Sequence, residues 1–564
     1  MLLIFISWLY ILFTVVNFGF ITHKLLKINK KYFIVIAFSG LFSVTLLAGF
    51  WAILWRINVE FHLVLLILNL LFFLKFKSGI QKVCISFFYE IKKLPFFLKS
   101  LLGIITVLIL AQCASVPYII DNESYYIQTI KSLNEFGLVK GLANLHLFLG
   151  QMSGWHITQS VFNFSFLFKN FNDLSGFCLW LGNVFSIIKL NEYFQNRKIH
   201  YLLIGMFPLA NLFFFQFIST PSPDIPVFIF SLIIFYYFLE SFPRFDVEIF
   251  RVISLLVLFA LLIKPTTLIL VFVPVFMVVW NLKNALPRIS SILVTSIVVL
   301  LFFIIKNTII SGYPFYPFTF LSIETDFTLP KILAEFYYEL TRLSAFHLTA
   351  VQLEEMSFYQ LFMHWLNLPK LDGLFNKSIL LLILITPFLL YKFYHKKAFW
   401  ILYILMCFQF VLLVNSSPQY RFFMNFTLLF TFFIIALIFK EKRHLYSLLA
   451  LSVFVTVFFL FVPVKLNVFT NNTLANENST FSYRNIVLPH PNSKFDLNFE
   501  KYQEGNLEYY SLQNSPFFWV AGDCPIPCVN KEQIAYFKTY FKVVPQQRTV
   551  RLKDGFISKR IENE

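Results

Sequence analysis

About fourteen apolar stretches, each about 16 to 22 residues long, follow one another along this chain and leave it little choice of fold. A hydrocarbon layer about 30 Å thick is crossed by about 20 apolar residues in a helix. No water is available inside it to satisfy a bare backbone, so each stretch is expected to cross as an α-helix. The stretches fall at 2–21, 32–55, 60–76, 98–119, 174–192, 201–219, 225–240, 248–263, 266–281, 289–305, 378–394, 398–415, 422–439 and 445–464. Charged residues make up 13% of the 564 and hydrophobic ones 58%, against about 25% charged in soluble chains. A row of soluble domains is thereby excluded, since too little polar surface exists to cover them.

The net charge of +17 arrives in short bursts between the apolar stretches rather than as one basic stripe. That pattern argues against a nucleic-acid partner and for membrane topology. Alternate loops carry Lys24, Lys27, Lys30 and Lys31; then Lys75, Lys77, Lys82, Lys92, Lys93 and Lys99; then Arg197 and Lys198; Arg244 and Arg251; Lys283 and Arg288; Lys392, Lys396 and Lys397; and Lys440, Lys442 and Arg443. The positive-inside bias assigns these loops to the cytoplasm and both termini to the other side. The first stretch has no basic leader and no small-residue cleavage site, so it is read as a span rather than a signal peptide.

Three longer segments are then expected on the outer side: 119–173, 306–377 and the polar tail 465–564. The organisation expected is N-terminal transmembrane helices over 1–118, a transmembrane core over 119–464, and a small extracytoplasmic domain over 465–564. Cys84, Cys113, Cys178 and Cys407 lie in or beside apolar runs and read as buried small hydrophobes. Cys524 and Cys528 flank a Pro-rich turn, and on the outer side a disulfide is expected there. A metal site would want further Cys or His nearby.

Ionisable residues at the edge of a bilayer are costly and usually have a partner or a task. Asp121-Asn122-Glu123 directly follows the fourth stretch. Two carboxylates at this spacing can supply a general base with an orienting or cation-binding partner, and close carboxylates push one another's pKa values apart. The plainer reading is a helix start, with Asp as N-cap and Glu in the first turn. The following segment, about 125–138, has helical apolar spacing and is expected to lie along the interface. His146 and His156 beside Gly turns are candidate phosphate or metal contacts, or simply hydrogen-bonded groups. Asp224 follows a tight turn and reads as a cap or as a cavity-facing acid. Lys264 and Lys306 are cations at apolar span ends; snorkelling accounts for them, and so would an anionic partner. Arg421 stands in a short turn, and a guanidinium suits two-pronged phosphate binding. Acid, base and cations at one membrane surface are what removal of a group from a lipid-bound phosphate requires. No Gly-rich phosphate loop or dinucleotide fingerprint occurs.

On these residues the chain resembles the glycosyltransferase-C superfamily, and within it a family of bacterial polytopic membrane proteins. The stretches that carry the resemblance are Asp121–Tyr126, Gly137–His146, Ser219–Asp224, Lys306–Pro317, Pro418–Phe422 and Cys524–Cys528. Enzymes of that superfamily carry an acidic Asp-x-Glu or Asp-x-Asp motif in the first large outer loop and use polyprenyl-phosphate-linked sugars. The resemblance implies a helix bundle of that type with a small α/β tail, placed in the bacterial cytoplasmic membrane. It implies inverting transfer of a sugar to a glycan, lipid or protein acceptor. It also implies Asp121 as base, with Glu123 as its helper or, together with Asp121, as a contact to a divalent Mg or Mn ion. Lys264, Lys306, Arg421, His146, His156 and Asp224 are placed at the substrate phosphate by the residues themselves. In the superfamily the acidic loop generally follows the first helix; here it follows the fourth. Two other readings compete. A ligase or polymerase of lipid-linked glycans would rely on Arg and His in one large loop. A flippase or transporter would place ionisable or broken helices at mid-bilayer, where these spans are nearly free of charge.

Overall fold

The computed structural model describes residues 1–30, 32–168, 174–472, 481–495, 498–513 and 518–561; Lys31 of the first basic loop lies outside them. Among the described residues, twelve helices are long and apolar enough to cross a membrane. They are Leu2–Leu25, Phe33–Leu54, Val59–Lys92, Phe96–Cys113, Leu174–Asn196, Ile199–Phe217, Asp224–Ser241, Ser290–Ser311, Lys370–Phe393, Lys397–Val414, Tyr420–Ile438 and Lys442–Phe461. The chain is a multi-pass membrane protein built as a helical bundle.

The count differs from fourteen at two places. The stretch at 248–263 forms the helix Val247–Ile263, 17 residues and about 25 Å long, one residue shorter than the shortest of the twelve. The stretch at 266–281 belongs to a broken pair, Pro265–Trp280 and Leu282–Arg288, bent by 100°. The break falls at Asn281, whose backbone leaves the helical region at φ −134° and ψ 38°. The apolar run ends at the same place, with Lys283, Asn284 and Arg288 beyond it.

Burial of apolar surface gives little drive for helices to associate in lipid, so close approach and polar contacts matter more. Gly19 and Gly40 let the first two helices touch. A β-carbon at Gly19 would collide with the Ile36 carbonyl, and one at Gly40 with that of Val15. Asn69 of the third helix donates to Thr14 Oγ1 at 3.1 Å, and Asn17 donates to Asn69 Oδ1 at 3.3 Å. Asn183 and Asn211 exchange amide hydrogen bonds at 3.0 and 2.8 Å. The third helix runs for 34 residues, with Phe76 off the helical region where the apolar run gives way to Lys75, Lys77 and Lys82.

The described parts of the segments 119–173, 306–377 and 465–564 meet at one end of the bundle. Asn144 Nδ2 donates to the Phe327 carbonyl at 2.8 Å, while Asn144 Oδ1 accepts from Ser558 Oγ at 2.6 Å. The helix Ile127–Glu135 is buried on nearly all sides instead of lying along an interface. The tail covers it: Gln128 Nε2 donates to the carbonyls of Gly522 and Cys524, both at 2.9 Å. The tail forms two antiparallel hairpins, β1 (Phe499–Glu504) with β2 (Leu507–Leu512) and β3 (Val543–Gln547) with β4 (Phe556–Arg560), with the helix Lys531–Tyr536 between them.

Candidate functional site

Helices that alternate in direction bring particular starts and ends to the same end of a bundle. Here the start of Asp224–Ser241, the end of Val247–Ile263 and the start of Tyr420–Ile438 converge. Their junctions carry Asp224, Lys264 and Arg421, and Asp121 joins them from the segment after the fourth helix. Arg421 Nη1 lies 2.7 Å from Asp121 Oδ2 and 3.6 Å from Asp224 Oδ2. Lys264 Nζ pairs with Asp224 Oδ1 and stands 4.4 Å from the centre of the Phe422 ring. Two anions and two cations close a neutral network, which is the condition under which charges tolerate burial. Arg421 sits in the first turn of its helix, where the dipole disfavours a cation, and the two carboxylates offset that cost.

Neither aspartate caps a helix with its side chain. The plainer reading of both as N-caps therefore gives way to the ion network. Burial alone would raise the Asp121 pKa. The charge and hydrogen bond of Arg421, the charge of Lys264 and the hydroxyl of Tyr126 outweigh it and hold the carboxyl below its usual range. Tyr126 donates to Asp121 Oδ2 at 3.3 Å. Asp121 Oδ1 makes no hydrogen bond among the described residues, and the side chain stays 21% exposed.

Glu123 stands apart from this network. Ser493 Oγ donates to its Oε2 at 2.6 Å, and Oε1 accepts from Lys494 N at 3.0 Å and Asn122 Nδ2 at 3.1 Å. Its carbonyl also accepts from Ala521 N and Gly522 N, at 2.9 and 2.7 Å. The residue is a peg that holds the tail, and burial raises its pKa in spite of those donors. The two carboxylates of 121–123 therefore do not converge on one ion. Arg421 takes Asp121 Oδ2, and the donors of Ser493, Lys494 and Asn122 take the Glu123 carboxylate. Among the described residues, no three His, Cys, Asp or Glu side chains gather as a metal-ligand set.

The remaining sequence candidates have other partners. His146 takes the Phe148 N–H on Nδ1 at 3.2 Å and faces the Trp519 carbonyl with Nε2 at 3.3 Å. Burial lowers its pKa to about 4. It pins the tail and has no contact with the ion network. His156 accepts from Ser153 N at 3.3 Å, and its Nε2 is buried without a partner. Burial first, then the nearby charge of Lys306, lowers its pKa to about 3. Its ring packs 4.8 Å from that of Tyr126, so it backs the network at one remove. Lys306 is buried and donates to the Met152 carbonyl. Cys524 and Cys528 are free thiols, buried side by side, instead of the bridge expected from their spacing. Burial, and then the adjoining Cys524 thiol, pushes the Cys528 pKa well up.

The model of one protein family, described as a domain of unknown function (DUF8201), matches residues 1–428. The chain belongs to that family. The DUF8201 match takes in Asp121, Asp224, Lys264 and Arg421 and ends seven residues past the last of them, so the network lies wholly inside the family region. The tail residues that grip Glu123, Ser493, Lys494, Ala521 and Gly522, lie beyond the match. No curated protein and no solved structure matches the chain.

Within the DUF8201 region a cavity of about 100 Å³ opens on Arg421. Gln419 links the two, its Oε1 accepting from Arg421 Nε at 2.9 Å. Sequence reasoning missed the rest of the lining, Asp372 and Asn376 among it. The available signal was a polar pair two turns before an apolar run, a place where a side chain at the membrane edge usually has a task.

Proposed function

We propose that this network is the reaction centre of a membrane glycosyltransferase that moves a sugar from a polyprenyl-phosphate-linked donor to an acceptor hydroxyl at the outer face of the cytoplasmic membrane. One observation carries the reading: Asp121, Asp224, Lys264 and Arg421, drawn from four separated points of the chain, form a partly open charge network beside a cavity. An anchored lipid would present its head group at such a boundary, and a guanidinium accepts a phosphate there in two-pronged fashion.

In the step itself, the acceptor hydroxyl oxygen attacks the anomeric carbon. A new carbon–oxygen bond forms as the one to the phosphate breaks, and the bonding pair departs on the phosphate oxygen. Arg421 and Lys264 stabilise that developing charge. The hydroxyl proton passes to Asp121, whose Oδ1 is open to it. A phosphate drawn to Arg421 would compete with Asp121 for the guanidinium, and loss of that partner raises the aspartate pKa. The donor would thus make its own base stronger on arrival. Attack opposite the leaving group inverts the anomeric centre.

The test is Asp121→Asn in purified, folded protein, with release of polyprenyl phosphate as the readout. Loss of the proton acceptor is expected to slow transfer by about 100-fold or more. Full activity in the variant would dispose of the assignment.

A further inference from the structure

We propose that the cavity beside Arg421 is a subsite for a neutral polyhydroxylated ring, the sugar of the donor. Its assignment to the donor rests on the transfer reading above; its chemistry does not. The cavity is small, about 100 Å³.

The lining decides the class of ligand. Asn376 is 1% exposed; its Nδ2 donates to the Trp365 carbonyl at 2.8 Å, and its Oδ1 is buried with no partner. A buried acceptor left bare is unfavourable, and a ligand hydroxyl donating to it would recover the loss. Asp372 adds a second acceptor group on the same helix. It already takes Asn471 Nδ2 at 2.6 Å and has His347 Nε2 at 3.6 Å, which leaves lone-pair capacity. Gln419 and Arg421 bring donors from the facing turn. One apolar side is the Tyr420 ring, stacked on Phe375 at 5.0 Å.

Acceptors opposite donors, with an aromatic flank, match hydroxyls that each donate and accept. A bare phosphate would be repelled by Asp372. An alkyl chain would leave Asn376 Oδ1 as unpaired as before. Because Arg421 belongs to both the cavity and the ion network, the ring would lie in the cavity with its anomeric phosphate at the guanidinium. That pose turns the anomeric carbon toward Asp121.

The experiment uses the full chain in lipid nanodiscs and saturation-transfer NMR with the methyl glycosides of glucose, galactose, mannose and N-acetylglucosamine. At least one is expected to bind. Asn376→Leu should weaken that binding about tenfold, the scale of one hydrogen bond to a buried acceptor. Asp372→Asn, which keeps the shape of the site, should weaken it as well and remains decisive if the first variant does not fold. Binding of none of the four, or binding undiminished in the variants, overturns the proposal. Glycoside binding without any transfer from polyprenyl-phosphate hexoses would instead leave the subsite standing and sink the transfer reading.

Discussion

The two ends of the bundle handle charge differently. At the end opposite Arg421, Lys30 pairs with Asp246 at 2.6 Å and Lys189 with Glu192 at 2.8 Å, each a two-member contact. Asp246 also caps its own helix, its Oδ1 accepting from Glu248 N and Ile249 N at 2.9 and 3.2 Å. Glu248 in turn binds Asn29 and the Lys30 amide. These carboxylates satisfy helix starts and loop amides, tasks that any helix end presents. At the other end Asp224 begins a helix too, yet its carboxylate leaves the free amides to bind Lys264 and Arg421. A carboxylate that gives up capping for a network spanning 300 residues, next to a cavity, is the feature on which the proposed ligand site rests. A carboxylate that caps marks the end of a helix.

Removing one member at each end should separate the two. Arg421→Met leaves Asp121 and Asp224 facing Lys264 alone, and breaking a buried network this way costs about 3–5 kcal/mol. Unfolding in detergent should register that loss together with the loss of transfer. If Arg421→Met unfolds no more easily than a variant at the opposite end, the distinction collapses. Glu123→Gln comes next. It exchanges a charged acceptor of three donors for a neutral one, at about 1–3 kcal/mol. The effect should appear as faster proteolysis near Lys494, with the ion network unchanged.

The acid limb sharpens the contrast further. The folded Asp121 pKa lies below its ordinary 3.8, so its ionisation contributes stability above that value and loses it as pH falls through the folded pKa. The stability gap between the protein and Asp121→Asn should therefore be widest near neutrality and close below about pH 4. Thermal unfolding across pH 3 to 7 measures it, and a gap that widens on acidification would contradict the pairing. The smallest effect belongs to Lys30→Ala. Its pair is about a third exposed on each side, and such pairs contribute about 0–1 kcal/mol. No change in transfer should accompany it.

Much of the bundle was legible because a long apolar run admits few structures in lipid. The exceptions have local causes. Asn281 breaks the helix where the apolar run 266–281 ends, and Val247–Ile263 is one residue shorter than the shortest of the twelve. Asp121 stood out as an acid beside a span, and Arg421 as a cation in a short turn. Their contact was not legible, since 300 positions separate them and only the alternation of helices brings both to one place. Glu123 misled because most of its partners, the Ser493 hydroxyl and the backbone amides of Lys494, Ala521 and Gly522, lie some 370 to 400 positions away and leave no pattern near residue 123. The thiols of Cys524 and Cys528 were open to the same error: spacing made a bridge feasible without requiring it.

What the residues determined unaided was the solvent the chain must live in, the spans, and the short list of ionisable groups at their ends. Hydrophobicity and charge are properties of each residue, so they survive being read one at a time. Which carboxylate would meet a guanidinium, which would hold the tail, and which buried amide oxygen would be left without a donor were settled only in the folded molecule. Those outcomes depend on distances of a few ångströms between groups hundreds of residues apart, and such distances exist only once the helices have packed.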